Sequence, residues 1–263
     1  MHHQITTLHR GLAEILGPDL AAVYLHGSLA MGCFNPQRSD IDLLVGTHDL
    51  LSLSQRRAVY DLLLQVSAAP RPIEISSCSM AQLWPWRYPP PFDLHYGEDW
   101  RDRIAAEIAD GRWRTWQPAA GGDPDLAAHI TIIHERGITI SGPPPAELLP
   151  PVPRHDYVDS IMTDIAAADE QVYNDPVYIV LNLCRVAAYV QAGLITSKAE
   201  GGEWGMRTLS HAQRPVVAEA LAIYRGTSDE TPFAADALAA LVAELQRQIA
   251  AAKCDERVEM LRS

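Results

Sequence analysis

Two aspartates separated by one residue, Asp40-Ile41-Asp42, open an apolar run that continues as Leu43-Leu44-Val45. Alternate residues of a strand share a face, at a rise of about 3.3 Å per residue. Asp40 and Asp42 are therefore expected to project together, with Cα atoms about 6.6 Å apart, while Ile41 and Leu43 turn to a core. Two carboxylates converging at a strand start suit one or two Mg²⁺ ions, because this hard cation takes oxygen ligands and keeps waters and substrate phosphates. Upstream, Gly27-Ser28 follows the apolar run Ala21-Ala22-Val23-Tyr24-Leu25. At such a bend the amides and the Ser28 hydroxyl can approach a phosphate with no Cβ in the way. The pieces fit phosphoryl or nucleotidyl transfer, where positioning and charge neutralisation do most of the work. Taken singly they say little, since an Asp-x-Asp is commonly a solvated strand end. The specific feature is the combination: strand, Gly-Ser, about ten residues, then Ser39-Asp40-Ile41-Asp42 running into a second strand.

The elements that must hold these residues can be read outward from them. Residues 5–16 have helical spacing (Ile5, Leu8, Leu12, Ile15, Leu16) and stop at Gly17-Pro18. Residues 21–25 read as a strand leading into a turn at His26-Gly27-Ser28, and 41–45 as a strand after the polar stretch 35–39. Residues 52–66 read as an amphipathic helix and Pro72–Ser76 as a third strand carrying Glu74. Helix, strand, turn, strand, helix, strand implies a small mixed sheet with helices against it. Trp84 to Pro91 holds four prolines and is expected to be an irregular, aromatic-rich loop. A helix at 123–135, opened by Asp123-Pro124, and a strand at 137–141 complete the first half. Gly142 to Arg154 holds six prolines and marks a boundary. Beyond it, alanine- and leucine-rich helices are expected near 155–168, 175–192, 197–205, 210–225 and 232–250, with the chain fraying from about 252. The fold class is α+β, with domains at 1–150 and 151–263.

The whole chain has 263 residues, 48% hydrophobic and 21% charged, as in an ordinary globular protein. Cys33, Cys78, Cys184 and Cys254 form no C-x-x-C pair, so reduced thiols are expected rather than a metal knuckle. No apolar run approaches the roughly 18–20 residues of a membrane span. Met1-His2-His3-Gln4 has no basic region followed by an apolar stretch, and a cytoplasmic protein is expected. The net charge of −12 disfavours nucleic acid, whose binding rests on Lys and Arg. It would attract a polycationic small molecule.

The Gly-Ser and Ser-Asp-x-Asp pattern resembles the DNA-polymerase-β-like nucleotidyltransferase superfamily, and more narrowly the AadA-like aminoglycoside adenylyltransferases. The likeness extends to Tyr24-Leu25-His26, Trp84-Pro85-Trp86, Tyr96-Gly97-Glu98, Asp123-Pro124-Asp125-Leu126, Ile179 to Arg185, Gly193 to Lys198, and Tyr224-Arg225-Gly226. It implies an N-terminal nucleotidyltransferase domain and a C-terminal all-helical domain closing over ATP and an acceptor. By this resemblance Asp40 and Asp42 are Mg²⁺ ligands for two ions, and Glu74 is the base that takes the proton of the acceptor hydroxyl. Gly27, Ser28 and Ser39 look like phosphate contacts, with Arg185, Lys198 and Tyr224 reaching the nucleotide from the helical domain. Asp125 and Asp175 match acidic positions that can pair with drug amines. Each of these also has an ordinary structural reading, an edge-strand glutamate for Glu74 and helix-surface charge or caps for the others.

The pattern departs where acceptor choice is made. Positions that carry a tryptophan and an aspartate in streptomycin-accepting members are Ala166 and Gln171 here. The cleft tryptophan expected after Gly97-Glu98 is Asp99, with Trp100 one place on. Losing an aromatic face and an anion favours spectinomycin, smaller and less cationic, over streptomycin. Competing expectations are a transferase of the same fold acting on a metabolite or protein, and a degenerate nucleotide sensor. The intact set Ser28, Asp40, Asp42 and Glu74 argues against the sensor. A monomer is the default.

Overall fold

Strands β1 (Leu20–His26), β2 (Ile41–Thr47) and β3 (Ile73–Ser79) are buried along most of their length, so both faces of their sheet must be covered. The computed structural model describes residues 1–117, 121–228 and 233–260. With β4 (Leu94–Tyr96) and β5 (Ile138–Ser141) the strands form one sheet in the order β4-β3-β2-β1-β5. Only β2 and β3 run parallel, which requires a crossover. The helix between them supplies it. Numbered in chain order, the helices of this half are α1 (His2–Leu16), α2 (Gly27–Ala30), α3 (Leu53–Val66), α4 (Met80–Leu83), α5 (Arg101–Ala109), α6 (Asp125–Arg136) and α7 (Pro145–Leu148).

One face of the sheet presents Val23, Leu25, Ile41, Leu43, Ile73, Ile75 and Tyr96 to Leu8, Leu12 and Leu16 of α1, Val59 and Leu63 of α3, and Ile104 of α5. The other packs Ala22, Tyr24, Leu44 and Cys78 against Leu126, Ile130 and Ile133 of α6. Strand alternation therefore puts Asp42, between Ile41 and Leu43, on the α6 face. A capping box fixes the start of α3: the Ser52 hydroxyl accepts from the Gln55 amide, and the Gln55 side chain accepts from the Ser52 amide.

The contact pattern divides the chain between Tyr157 and Val158, within α8 (Arg154–Thr163). The second unit continues with α9 (Ala168–Gln171), α10 (Pro176–Ala192), α11 (Lys198–Thr208), α12 (Arg214–Tyr224) and α13 (Ala235–Met260). Its centre is α10, apolar nearly all round and buried accordingly. Asp175 caps it, Pro176 takes its first position, and Gly193 ends it at φ 66°. On α11, a Cβ added to Gly201 would lie 2.9 Å from the Arg185 Cα, so the backbones of α10 and α11 cross in close contact. No helix among the described residues is long and apolar enough to cross a membrane.

The architecture is the expected α+β one, with local differences. Gly27-Ser28 is the first turn of the short helix α2 rather than a bare turn. The helix expected to run to 168 stops at Thr163, whose hydroxyl donates to the Asp159 carbonyl, a back-bond that bends helices. The last helix continues to Met260, past the expected fraying. Strand β4 and helix α5 were not anticipated: three strand residues beside a proline run, and a helix whose apolar spacing rests on Ile104 and Ile108, carry little periodic signal.

Strand β4 is fastened at its start by a buried ion pair. Arg56 Nη2 stands 3.1 Å from Asp93 Oδ1, with side chains 5% and 0% exposed, while Asp93 Oδ2 accepts from the Leu51 amide at 2.7 Å. Replacing Asp93 by alanine strands the arginine charge and one amide, which predicts a loss of about 3–5 kcal/mol. Denaturant unfolding of Asp93→Ala checks this; a loss below about 1 kcal/mol would show that the pair does not anchor β4.

Candidate active site

Register assembles the site. On β2 and β3 the Cα partner of Asp42 is Glu74, and on β1 and β2 the partner of Asp42 is His26. The three residues thus form one row across three strands, on the face covered by α6. Asp40 precedes β2 by one residue, where the Ile41 amide donates to the Pro72 carbonyl and ties the start of β2 to that of β3.

Gly27 is required by this row. It has φ 61°, a left-handed conformation that L side chains rarely adopt. A Cβ built on it would lie 1.8 Å from Asp42 Oδ2, so the carboxylate rests directly on the glycine backbone. Next to it, Ser28 Oγ is buried with no hydrogen-bond partner among the described residues, an orphaned hydroxyl at the first turn of α2. Ser39 is largely committed to its own loop: its hydroxyl accepts from the Asn35 amide at 3.1 Å and its amide donates to the Asn35 carbonyl at 2.9 Å. The side chain that accepts the Asn35 amide keeps its own proton to donate.

Around the acids stand histidines that the sequence reading did not single out. His26 is buried and its ring lies 4.6 Å from that of His129 on α6. Burial holds His26 well below the ordinary imidazole range, the nearby His129 adds to this, and a Leu43 backbone bond opposes it. On β4, His95 opposes Ser76 and its Nδ1 lies 3.0 Å from Ser76 Oγ. Burial lowers His95 too, with Glu74 and Asp123 acting in the opposite sense and His129 in the same one. The only signal available was alternation: Leu94 and Tyr96 are apolar and His95 between them is not, but three residues are too few to read.

The structure brings Asp42 and Glu74 together in register, with Gly27 and Ser28 beside them. It does not close three carboxyls into one cluster, since among the described residues no group of three His, Cys, Asp or Glu stands ready to hold a metal. Mg²⁺ in any case asks for one or two carboxylates plus phosphates and waters, so the oxygen donors Asp40 and Asp42 fit that ion. Trp100 lies in the 3-10 turn Glu98–Trp100, its ring 5.1 Å from His95 and 4.1 Å from the Arg103 guanidinium. Asp125 is exposed at the start of α6, and its amide donates to Asp123 Oδ1.

Residues 6–81 match the family described as a nucleotidyltransferase domain, and residues 147–251 match that of the C-terminal domain of aminoglycoside adenylyltransferase. An aminoglycoside (3'')(9) adenylyltransferase of Klebsiella pneumoniae is 32% identical over 253 residues, covering 90% of this chain and 93% of the relative. The chain belongs to the aminoglycoside adenylyltransferases. A spectinomycin 9-adenylyltransferase of Staphylococcus aureus is 28% identical, with 82% of each chain covered. Among solved structures, spectinomycin adenyltransferase AAD(9) from Enterococcus faecialis, determined with ATP and spectinomycin, superposes with a TM-score of 0.79. At 20% identity, over 95% of this chain and 99% of the other, that likeness establishes the shared fold.

In the helical unit of this adenylyltransferase, Arg185 on α10 faces Asp164 at 3.6 Å and sits at the crossing with α11. Lys198, the first residue of α11, holds its Nζ 4.3 Å from the centre of the Tyr178 ring. Asp175 is exposed and accepts from the Tyr178 amide at 3.0 Å, as a helix cap does. Tyr224 is buried at the end of α12.

Gly27→Ala separates the glycine's two duties. The left-handed φ costs an alanine about 1–2 kcal/mol of stability. The new Cβ must also expel the Asp42 carboxylate, so turnover is expected to fall at least about 100-fold while the protein stays folded. Steady-state rates beside a thermal melt check this, and an active Gly27→Ala enzyme would refute the packing of Asp42 on the glycine.

Proposed function

We propose that this chain transfers AMP from ATP to a hydroxyl of an aminocyclitol antibiotic, releasing pyrophosphate and conferring resistance, with spectinomycin the favoured acceptor and streptomycin the poorer one. The observation that carries the reading is the pairing of Asp42 with Glu74 across β2 and β3, beside the Gly27-Ser28 turn. The relatives' names support the acceptor class, and both kinds of name include the 9-position activity.

In this reading Asp40 and Asp42 hold Mg²⁺, two ions by family likeness. Bound there, the metal neutralises phosphate charge and polarises the α-phosphate. Ser28, with its unpartnered hydroxyl, and the amides from Gly27 onward take phosphate oxygens, assisted by Ser39. Glu74 accepts the proton of the acceptor hydroxyl. The freed oxygen attacks the α-phosphorus, the bond to the β-phosphate oxygen breaks, and pyrophosphate leaves. The histidines flanking the acids, kept neutral by burial, offer hydrogen bonds and ring contacts rather than charge.

By family likeness, Arg185, Lys198 and Tyr224 are assigned to the nucleotide, and Asp125 and Asp175 each to acceptor amines. Trp100 offers an aromatic edge beside His95. A net charge of −12 suits a cationic acceptor and opposes a polyanionic one.

With ATP and Mg²⁺, spectinomycin is expected to elicit pyrophosphate, and streptomycin much less. Silence across a panel of aminocyclitols would leave the transferase assignment standing but point to a metabolite or protein acceptor. Asp42→Asn should abolish turnover. Glu74→Gln should retain ATP binding while kcat falls about 100- to 10,000-fold, the range for a lost general base. A Glu74→Gln enzyme turning over at the normal rate would dismiss Glu74 as the base.

A further inference from the structure

The antiparallel pairing of β3 with β4 matches Ile75 to Tyr96 and Ser76 to His95. One step further, the residue across from Glu74 is Gly97. Its backbone is still extended, with φ −140° and ψ 169°, so the alternation of β4 persists through it. Tyr96 turns to the core under α1 and α3, and His95 and Gly97 turn to the face that carries Glu74 and Ser76. A Cβ added at Gly97 would meet no atom within 4 Å. A side chain at 97 would therefore project into open space, on the strand position that the register sets across from Glu74.

The backbone around this opening is fastened. The Trp100 amide donates to the Gly97 carbonyl at 3.0 Å. The adjacent Glu98 carboxylate accepts from Arg101 Nε at 2.6 Å, from Tyr96 Oη at 3.2 Å and from the Ser67 hydroxyl. The same Ser67 hydroxyl accepts from the amide of Ile73, the first residue of β3. These bonds hold the end of β4 and the start of β3 in place on either side of Glu74, so the corner cannot swing aside to accommodate a side chain at 97. On the same face, the His95 ring meets that of Trp100 at 5.1 Å.

We infer that Gly97 is the specificity-determining aperture of the acceptor subsite: its missing side chain is the space through which the acceptor hydroxyl reaches Glu74. The inference rests on the reading of Glu74 as the base and of a hydroxyl-bearing aminocyclitol as the acceptor. A side chain at 97 that obstructs only the acceptor path would leave nucleotide binding intact. An ordinary φ and open surroundings make the substitution structurally mild, and a β-branched residue suits extended backbone.

The test compares Gly97→Ala and Gly97→Val with the unaltered enzyme. The readouts are the melting temperature, ATP affinity by calorimetry, and kcat/KM for spectinomycin from pyrophosphate release. Melting temperature and ATP affinity should stay unchanged, the latter within about twofold. Acceptor kcat/KM should fall by at least tenfold in Gly97→Val and by a smaller factor in Gly97→Ala. Unchanged acceptor kcat/KM in Gly97→Val would overturn the aperture. So would a loss matched by an equal loss of ATP affinity or by unfolding in both variants. If the unaltered enzyme neither turns over nor binds any aminocyclitol, the acceptor reading fails and the aperture falls with it. Normal turnover in the unaltered enzyme and in Gly97→Val removes the aperture alone.

Discussion

The site depends on one close contact, the carboxylate of Asp42 against the backbone of Gly27. Asp42 lies in a sheet row with His26 on one side and Glu74 on the other, so its side chain cannot move sideways. It leaves the sheet over the turn that ends β1, and only a residue without Cβ, in a left-handed conformation, lets it pass. That conformation also sets the first turn of α2, which brings Ser28 beside the acid. Asp42 and the Gly27-Ser28 turn are therefore a single backbone feature. Neither can be displaced without the other.

Burial then decides what the neighbours of the acids can contribute. His26 and His95 are held below the ordinary imidazole range by desolvation, and both remain neutral near pH 7. Neutral rings stack and share hydrogen bonds, as His26 does with His129 and His95 with Ser76. They do not neutralise carboxylates.

Much of this was legible in the sequence where the chemistry has a fixed spacing. Gly27-Ser28, Asp40-Ile41-Asp42 and Glu74 lie in or beside runs whose apolar residues announce strands, and strand alternation put Asp42 on the face opposite Ile41 and Leu43. The proline-rich stretch announced a change of character, and α10, bounded by Asp175-Pro176 and Gly193, was readable from its caps. What was not legible depends on pairing across the sheet. Nothing in the sequence says that Asp42 stands opposite Glu74, or that β4 exists to set His95 against Ser76. A three-residue strand next to prolines has no period to detect, and α5 shows too few apolar positions. The histidines escaped notice because a lone histidine in an apolar run reads as an ordinary core residue.

This division also explains why the reaction class is easier to read than the acceptor. The nucleotidyltransferase half is defined by backbone: a register, a left-handed glycine and a parallel pair of strands. The segment after β4 is short and irregular, and there one position of slippage between Asp99 and Trp100 exchanges an exposed acid for an aromatic ring. In the structure Trp100 is engaged by Arg103 and His95, and Asp99 is exposed one residue before it. Under the proposed acceptor reading, two enzymes could share the row of acids down to the register and still admit different drugs through a few atoms at the end of an edge strand. In that reading Gly97 would bear on the choice by leaving room.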